Sequence, residues 1–432
     1  MEWRTLIDKQ IPRTFHSVIN MILKCIILLF LGTEVFAGKV KYENYKVYAM
    51  TPSNNDHLVL LETLENNQHV NIWLNPKRLN EVHTIMVSPN YQNTFEELYN
   101  DLSLEVVIKD VECAINEEKR KILEATPLNR GEVRFDRYMR YIEIQNYLER
   151  IALQYKEIVS FENYGLSYEK RNLTLVKIST GFGLDKPTIL VDAGIHAREW
   201  LAPAQALYII NQLIKNGDNR RLIENVNWII IPLINPDGYE YTHTTDRLWR
   251  KTRSKGIVCD GVDANRNFDF HWSEEGGDRD ECSENYAGPK AFSEPETTAL
   301  SRVILKYARN TKLYLSIHTP LLALLHPWGY TSDSPPNRDE LRDLGLSASD
   351  AIYAVNGTRY KVGSSVEIFT HTAGSSRDWA YGFANISLSY TVELPPGPHN
   401  VHQMPPENIL RVVTETFEGI KVFHNYVNHR RT

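Results

Sequence analysis

Five apolar runs recur along the later part of this chain: Leu173–Ser179, Thr188–Gly194, Val226–Leu233, Leu313–Ile317 and Leu388–Leu394. None alternates strictly between polar and apolar residues. A strand with one wet face alternates, whereas a continuous apolar run fits a strand covered on both faces. Helical patterns lie around these runs at Arg137–Tyr155, Leu201–Lys215, Ser293–Tyr307, Asp339–Val355 and Glu407–His424. Ser293-Glu-Pro-Glu296 reads as a capping box with Pro in the first turn. The alternation predicts an α/β fold, a large mixed and mostly buried sheet flanked by helices.

Open α/β sheets place their sites outside the carboxyl ends of the strands, so the residues following each run carry the functional information. Thr188–Gly194 leads into His196-Ala-Arg-Glu-Trp200, where a His and a Glu three apart can reach one metal ion. Leu313–Ile317 ends in His318, Val226–Leu233 leads to Asn235-Pro-Asp-Gly238, and the last run carries Glu393. Two His and one carboxylate form a catalytic zinc set with a fourth position left for water. His196, Glu199 and His318 therefore predict a metallohydrolase.

The chain has 432 residues, with ordinary apolar (42%) and charged (24%) content and a net charge of -6 that gives no reason to expect nucleic acid. Residues 21–37 read as a secretory signal, with a short basic start, an apolar core and Val-Phe-Ala before Gly38. The core is short for a membrane span. The polar residues ahead of Met21 are unusual before such a leader and leave Met21 as an alternative start. Cys25 leaves with the leader. Cys259 and Cys282 lie in a polar, turn-rich stretch and are expected to form a disulfide, while Cys113 reads as a buried thiol. Sequons at Asn172, Asn356 and Asn385 suit an extracellular protein. Between Lys39 and Glu118, strand patterns at Tyr45–Met50, His69–Trp73, His83–Val87 and Glu105–Ile108 alternate with helical ones at His57–Asn66 and Tyr91–Leu102, predicting a small α/β sandwich. The charged stretch Glu117–Lys121 and Asn129-Arg-Gly131 then read as an exposed connector, or as a charged helix joining two domains.

From about residue 40 to its end the chain resembles the pancreatic-type zinc metallocarboxypeptidases in their secreted zymogen form. The resemblance rests on His196-x-x-Glu199-Trp, Asn235-Pro-Asp-Gly-Tyr-Glu-Tyr241, Leu248-Trp-Arg-Lys-Thr-Arg253, Gly261-Val-Asp-Ala-Asn-Arg-Asn267, Phe292-Ser-Glu-Pro-Glu296, Ser316-Ile-His318 and Tyr390-Thr-Val-Glu-Leu394, in that order. It implies a signal peptide over 1–37, an activation pro-domain over 38–118, a connector over 119–134 cut by a trypsin-like protease, and a catalytic domain over 135–432. It implies one Zn²⁺ held by His196, Glu199 and His318, with Glu393 as the general base toward the attacking water. Arg250 would stabilise the oxyanion. Asn265 and Arg266 would bind the terminal carboxylate of the substrate, a bidentate match that restricts cleavage to chain ends. Arg198 and Arg247 would sit in outer subsites. The partners implied are peptide or protein C-termini and the activating protease, for a secreted monomer.

Three features depart from the family pattern. Thr370, next to His371, stands where the family carries a mobile Tyr over the substrate carboxylate, which predicts weaker affinity rather than lost chemistry. Thr319-Pro320-Leu321 replaces a polar and aromatic segment. Ser387–Tyr390 lies one residue further from Trp379 than in the mammalian pattern. The specificity position falls on Arg377, and a cation there suggests an acidic C-terminal residue, since an apolar one would leave a buried charge unsatisfied. The alternative is that Arg377 pairs with a carboxylate such as Asp378 and selects nothing. Two further alternatives stand beside an active acid-preferring enzyme: an impaired zinc-binding relative that binds peptide C-termini, and a structural or adhesive protein on the same scaffold.

Overall fold

The computed structural model describes residues 38–64, 67–74, 78–124, 129, 131–183, 186–398 and 403–429. The leader expected at 1–37 with Cys25, and the connector positions 125–128 and 130, lie outside these residues. Among the described residues no helix is long and apolar enough to cross a membrane.

Near the N-terminus, β1 (Lys46–Met50), β2 (Val70–Leu74), β3 (His83–Val87) and β4 (Glu105–Ile108) form an antiparallel sheet in the order β2-β3-β1-β4. Helices Asn55–Glu62 and Gln92–Leu98 accompany it, and Leu61, Phe95, Tyr99 and Leu102 pack on Tyr48, Met50, Ile85 and Val87. This is the expected α/β sandwich.

Its other side is covered by the helix Val111–Glu124, which extends into the first residues of the 119–134 stretch expected to be a connector. Val111, Ile115 and Glu118 are buried, a spacing that places them on one face. Cys113 falls on the opposite face, so it is an exposed free thiol rather than the buried one expected.

The large sheet comprises β5 (Val159–Leu166), β6 (Asn172–Ile178), β7 (Thr188–Ala193), β8 (Asn227–Ile231), β9 (Thr311–His318), β10 (Ala323–His326), β11 (Lys361–Ser364) and β12 (Ser389–Glu393), ordered β11-β10-β12-β9-β7-β8-β6-β5. The apolar runs are its inner strands. Ile189, Val191, Leu313, Leu315, Trp228 and Ile230 face one layer of helices, Tyr141–Gln154, Leu201–Lys215, Arg338–Asn356 and Ile409–His429. Leu190, Tyr314, Ile229 and Ile231 face the other, where Leu300, Ile304, Trp379 and Phe268 pack. Apolar residues at successive positions are what cover on both faces requires. β12, β9, β7 and β8 run parallel to one another, so four carboxyl ends open on the same edge of the sheet.

The helix Pro295–Tyr307 begins one residue later than the capping-box reading implies. Its N-cap is Glu294, with no side-chain cap, and Pro295 occupies the first turn. Glu296 instead turns inward. Its Oε1 accepts the Tyr168 N–H at 2.9 Å while Oε2 is buried without a hydrogen-bond partner. Burial pushes its carboxyl up to about 8. The folded protein therefore holds this proton where the unfolded chain releases it, and the destabilisation grows as pH rises from the ordinary carboxylate value of 4.5 to about 8. Glu296→Gln is expected to stabilise the fold by roughly a few kcal/mol above that range and little below it. Thermal melts of both proteins across pH check this; a pH-independent difference would contradict it.

Candidate active site

The site is built up one face of two neighbouring strands. Asp192 on β7 lies in register with Ser316 on β9, and residues 314, 316 and 318 share a face because side chains alternate along a strand. The buried Asp192 carboxylate accepts from the Tyr314 hydroxyl and from Ser316 Oγ (2.8 Å), and Ser316 Oγ lies 3.2 Å from His318 Nε2. His318 is thus fastened from below through its Nε2, leaving Nδ1 for the open end. There Nδ1 stands 3.2 Å from Glu199 Oε2 and 3.2 Å from His196 Nδ1, and His196 Nδ1 stands 2.7 Å from Glu199 Oε1. The candidate ligand atoms of His196, Glu199 and His318 all lie within 4.8 Å of one another, and all three residues are buried. Burial works against the Glu199 charge, yet His196 and His318 hold its carboxyl well below the usual range.

This arrangement fits zinc. Three donors of the right type converge, and each imidazole has its other nitrogen engaged, His318 by Ser316 and His196 Nε2 by Asp263 Oδ1 at 3.1 Å, as outer partners of metal-bound His do. The Thr319 N–H donates to Glu199 Oε2 at 3.2 Å, so the departing Thr319-Pro320-Leu321 segment still supports the cluster.

Glu393 on β12 is in register with His318. The Leu321 N–H lies 3.5 Å from its Oε2. Burial pushes the Glu393 carboxyl up to about 7, and the Glu199 charge adds to the effect while His318 and Arg250 oppose it.

Asp263, to which the sequence reading gave no role, ties the remaining groups together. Its Oδ2 accepts from Arg250 Nη2 (2.8 Å) and Nε (3.2 Å), and its Oδ1 accepts from the Asn265 N–H (2.9 Å) as well as facing His196. Burial disfavours its charge, but Arg250, His196 and Arg266 keep it well below the usual carboxylate range. With one edge of the Arg250 fork on Asp263, Nη1 is turned toward the metal cluster, 3.8 Å from Glu199 Oε1. Asp263 sits within the quoted Gly261–Asn267 motif, and its acid beside two predicted substrate groups was the signal available.

Arg266 is held by the Gly276 carbonyl (Nε, 2.6 Å) and lies 3.9 Å from Asp263. Burial lowers its guanidinium to about 10, with Arg250 and Arg377 adding to the effect. Asn265 Oδ1 accepts the Ser376 N–H at 3.0 Å, joining this loop to the segment bearing Arg377. Arg377 is buried, with Nε 3.0 Å from Asp378 Oδ1. This is the contact that the non-selective alternative requires. The other Asp378 oxygen accepts the N–H groups of Gly329 and Tyr330.

Thr370 is half-buried, and among the described residues no hydrogen bond ties it to Asn265, Arg266 or Arg377. Its neighbour His371 pairs with Glu275 at 3.0 Å. Asn235, which follows β8, is a structural residue: its Oδ1 caps the helix Pro236–Thr244 and its Nδ2 donates to the Ile195 and Lys251 carbonyls.

Arg198 donates to the Leu248 carbonyl (3.2 Å) and Glu284 (3.0 Å). Arg247 binds Glu118 through Nε (2.6 Å) and Nη2 (3.0 Å). The N-terminal sandwich therefore reaches these positions, and Leu248 packs with Val47, Trp73, Met86, Val111 and Ile115 of that unit. The expected disulfide joins Cys259 to Cys282.

Residues 144–419 match the zinc carboxypeptidase family, and residues 48–118 match the carboxypeptidase activation peptide. Carboxypeptidase B of Astacus astacus is 46% identical over 67% of this chain and 97% of its own length. Zinc carboxypeptidase A 1 of Drosophila melanogaster is 35% identical over 92% of this chain and 96% of its own. The crystal structure of the carboxypeptidase A from Helicoverpa armigera superposes with a TM-score of 0.85 at 28% identity, covering 90% of this chain and 98% of that one. With the His-Glu-His cluster at the mouth of the parallel strands and an activation peptide ahead of it, the chain belongs to the zinc carboxypeptidase family and is a zinc metallocarboxypeptidase.

Proposed function

We propose that this chain is a secreted, monomeric zymogen, activated by a trypsin-like cut between Glu118 and Arg134, whose mature form removes C-terminal residues and prefers Glu or Asp at the end. The exposed sequons at Asn172, Asn356 and Asn385 support secretion. His196, Glu199 and His318 would hold the metal. When bound, zinc acidifies a water and polarises the scissile carbonyl. Glu393, with its carboxyl near neutrality, takes a proton from the attacking water and returns it to the leaving amine. Arg250 Nη1 faces the developing oxyanion, and Arg266 with Asn265 receives the terminal carboxylate.

The observation that carries the acidic preference is the buried Arg377 guanidinium on the segment that Asn265 Oδ1 joins to the loop bearing Arg266. Asp263 and Asp378 already offset part of the local positive charge, so a substrate end bearing a second carboxylate would gain through the rest of the Arg377 fork. The Arg377–Asp378 pair favours the second reading, in which Arg377 is neutralised and selects nothing. Matched peptides ending in Glu, Phe or Lys, offered after trypsin activation, separate them. The acidic reading expects Glu to be cleaved about tenfold or more faster than Phe, since a lost buried charge contact is worth at least that much. Equal rates for Glu and Phe would support the second reading, and a preference for Lys would defeat the first.

A further inference from the structure

The three Asn-x-Ser/Thr motifs, at Asn172, Asn356 and Asn385, have unlike surroundings. Asn356 Nδ2, the atom a sugar would occupy, donates to Glu415 Oε2 at 3.2 Å, and the Thr358 hydroxyl of the same motif donates to that oxygen at 3.1 Å. Glu415 is buried, so a sugar on Asn356 would have to be seated against a buried carboxylate. Asn172 opens β6, where its Oδ1 accepts from Asn163 Nδ2 at 2.7 Å. Asn385 differs from both. It is exposed, and among the described residues its side-chain amide has no hydrogen-bond partner. Its φ of 58° is left-handed, a conformation that Asn tolerates better than most residues with a side chain. The loop around it is pinned. The Ile386 N–H donates to the Ala380 carbonyl at 3.0 Å, Asn337 Nδ2 donates to the Ser387 carbonyl at 3.0 Å, and Ala384 and Ile386 are buried. Two residues before Asn385 stands Phe383. Its ring stacks on the buried Trp379, with centroids 5.2 Å apart and planes at 20°, yet it is 60% exposed. The corresponding positions before Asn172 and Asn356 hold Lys170 and Ala354.

We propose that Asn385 carries an N-linked oligosaccharide and that its first sugar covers the exposed ring of Phe383. Cα atoms two residues apart lie within about 7 Å, and a pyranose on the Asn385 amide spans that gap. The C–H face of the sugar is apolar and the face of the aromatic ring is negative, so the contact removes apolar area from water and aligns complementary charge. Because the loop is already fixed, little ordering opposes it. This rests on the secretion proposed above, since the sugar is added along the secretory route. There a lipid-linked pyrophosphoryl oligosaccharide is the donor: the Asn385 amide nitrogen bonds C1 of the first sugar, the C1–O bond to the pyrophosphate breaks, the amide loses a proton and the lipid pyrophosphate leaves. The sugar stands clear of the cleft. Arg377 lies in the first turn of the helix Ser376–Gly382 and Asn385 beyond its last, about 10 Å along the axis.

The test expresses the full chain with its own leader in a eukaryotic secretory cell line. Enzymatic release of the glycans in ¹⁸O water turns each occupied Asn into a labelled Asp, which peptide mass mapping reads. Label at Asn385 is expected in most secreted molecules. Ser387→Ala removes the acceptor motif while keeping the left-handed Asn. It is expected to abolish the label, to lower the melting temperature by about 2–4 °C and to leave kcat/KM after trypsin activation unchanged. In a chain carrying Phe383→Ala, the same loss of sugar is expected to shift the melt little. A secreted chain unlabelled at Asn385 would overturn the site and leave the secretion reading standing. A melting shift of the same size with and without Phe383 would overturn the cover, and an altered kcat/KM in Ser387→Ala would overturn the placement clear of the cleft. A chain retained in the cell would defeat the secretion reading and the glycan with it.

Discussion

Glu393→Gln is expected to lower kcat/KM on peptide substrates by about 10²–10⁴-fold while leaving the zinc content unchanged. The amide keeps the size and the contact with the Leu321 N–H but has no basic oxygen to accept a proton. The position of Glu393 beside His318, fixed by the register of β12 on β9, makes the loss a catalytic one rather than a failure of metal binding. Rates on a C-terminal peptide and metal analysis of the same preparation check both parts. Turnover retained in the variant would remove Glu393 from its role. An unaltered protein that holds zinc and shows no turnover would identify the impaired peptide-binding relative instead.

Arg250→Ala is expected to cost about 10²–10³-fold, mostly in kcat, because the group it stabilises exists only as the carbonyl becomes tetrahedral. Asp263 sharpens this expectation. It fixes the Nε and Nη2 edge of Arg250 and points Nη1 at the cluster, so Arg250→Lys, which keeps the charge without the fork, is expected to recover little. Steady-state kinetics with separate kcat and KM values decide it: a rise in KM alone would make Arg250 a ground-state binding residue.

The inner strands and the ends they present were legible because a strand covered on both faces must be apolar at successive positions, and a His or an acid at the end of such a run stands out. The strands toward the two ends of the sheet were not. β5 mixes polar and apolar residues, and β10 and β11 are only four residues each. The ligands His196, Glu199 and His318 could be picked out one by one, whereas the groups that orient them could not. Asp192 is embedded in an apolar run, and its link to His318 through Ser316 exists only because β7 and β9 lie side by side. Cys113 was misplaced because the preceding apolar residues belong to β4, and the helix after them turns Val111, Ile115 and Glu118 inward. That same face carried a readable signal: an acid at a position where the period calls for an apolar residue marks a buried carboxylate in need of a cation, and Arg247 is the cation.

The exposed thiol on the helix Val111–Glu124 has a consequence for the proposed activation. A cut beyond Glu118, as proposed, would release Cys113 with the activation peptide, and removal of the expected leader would release Cys25, leaving the cysteines of the Cys259–Cys282 disulfide. The proposed activation cut would thereby remove the exposed free thiol in the same step that uncovers the cleft. The precursor is the form that carries the exposed free thiol, and the cleaved enzyme would keep only the two cysteine sulfurs bonded to each other.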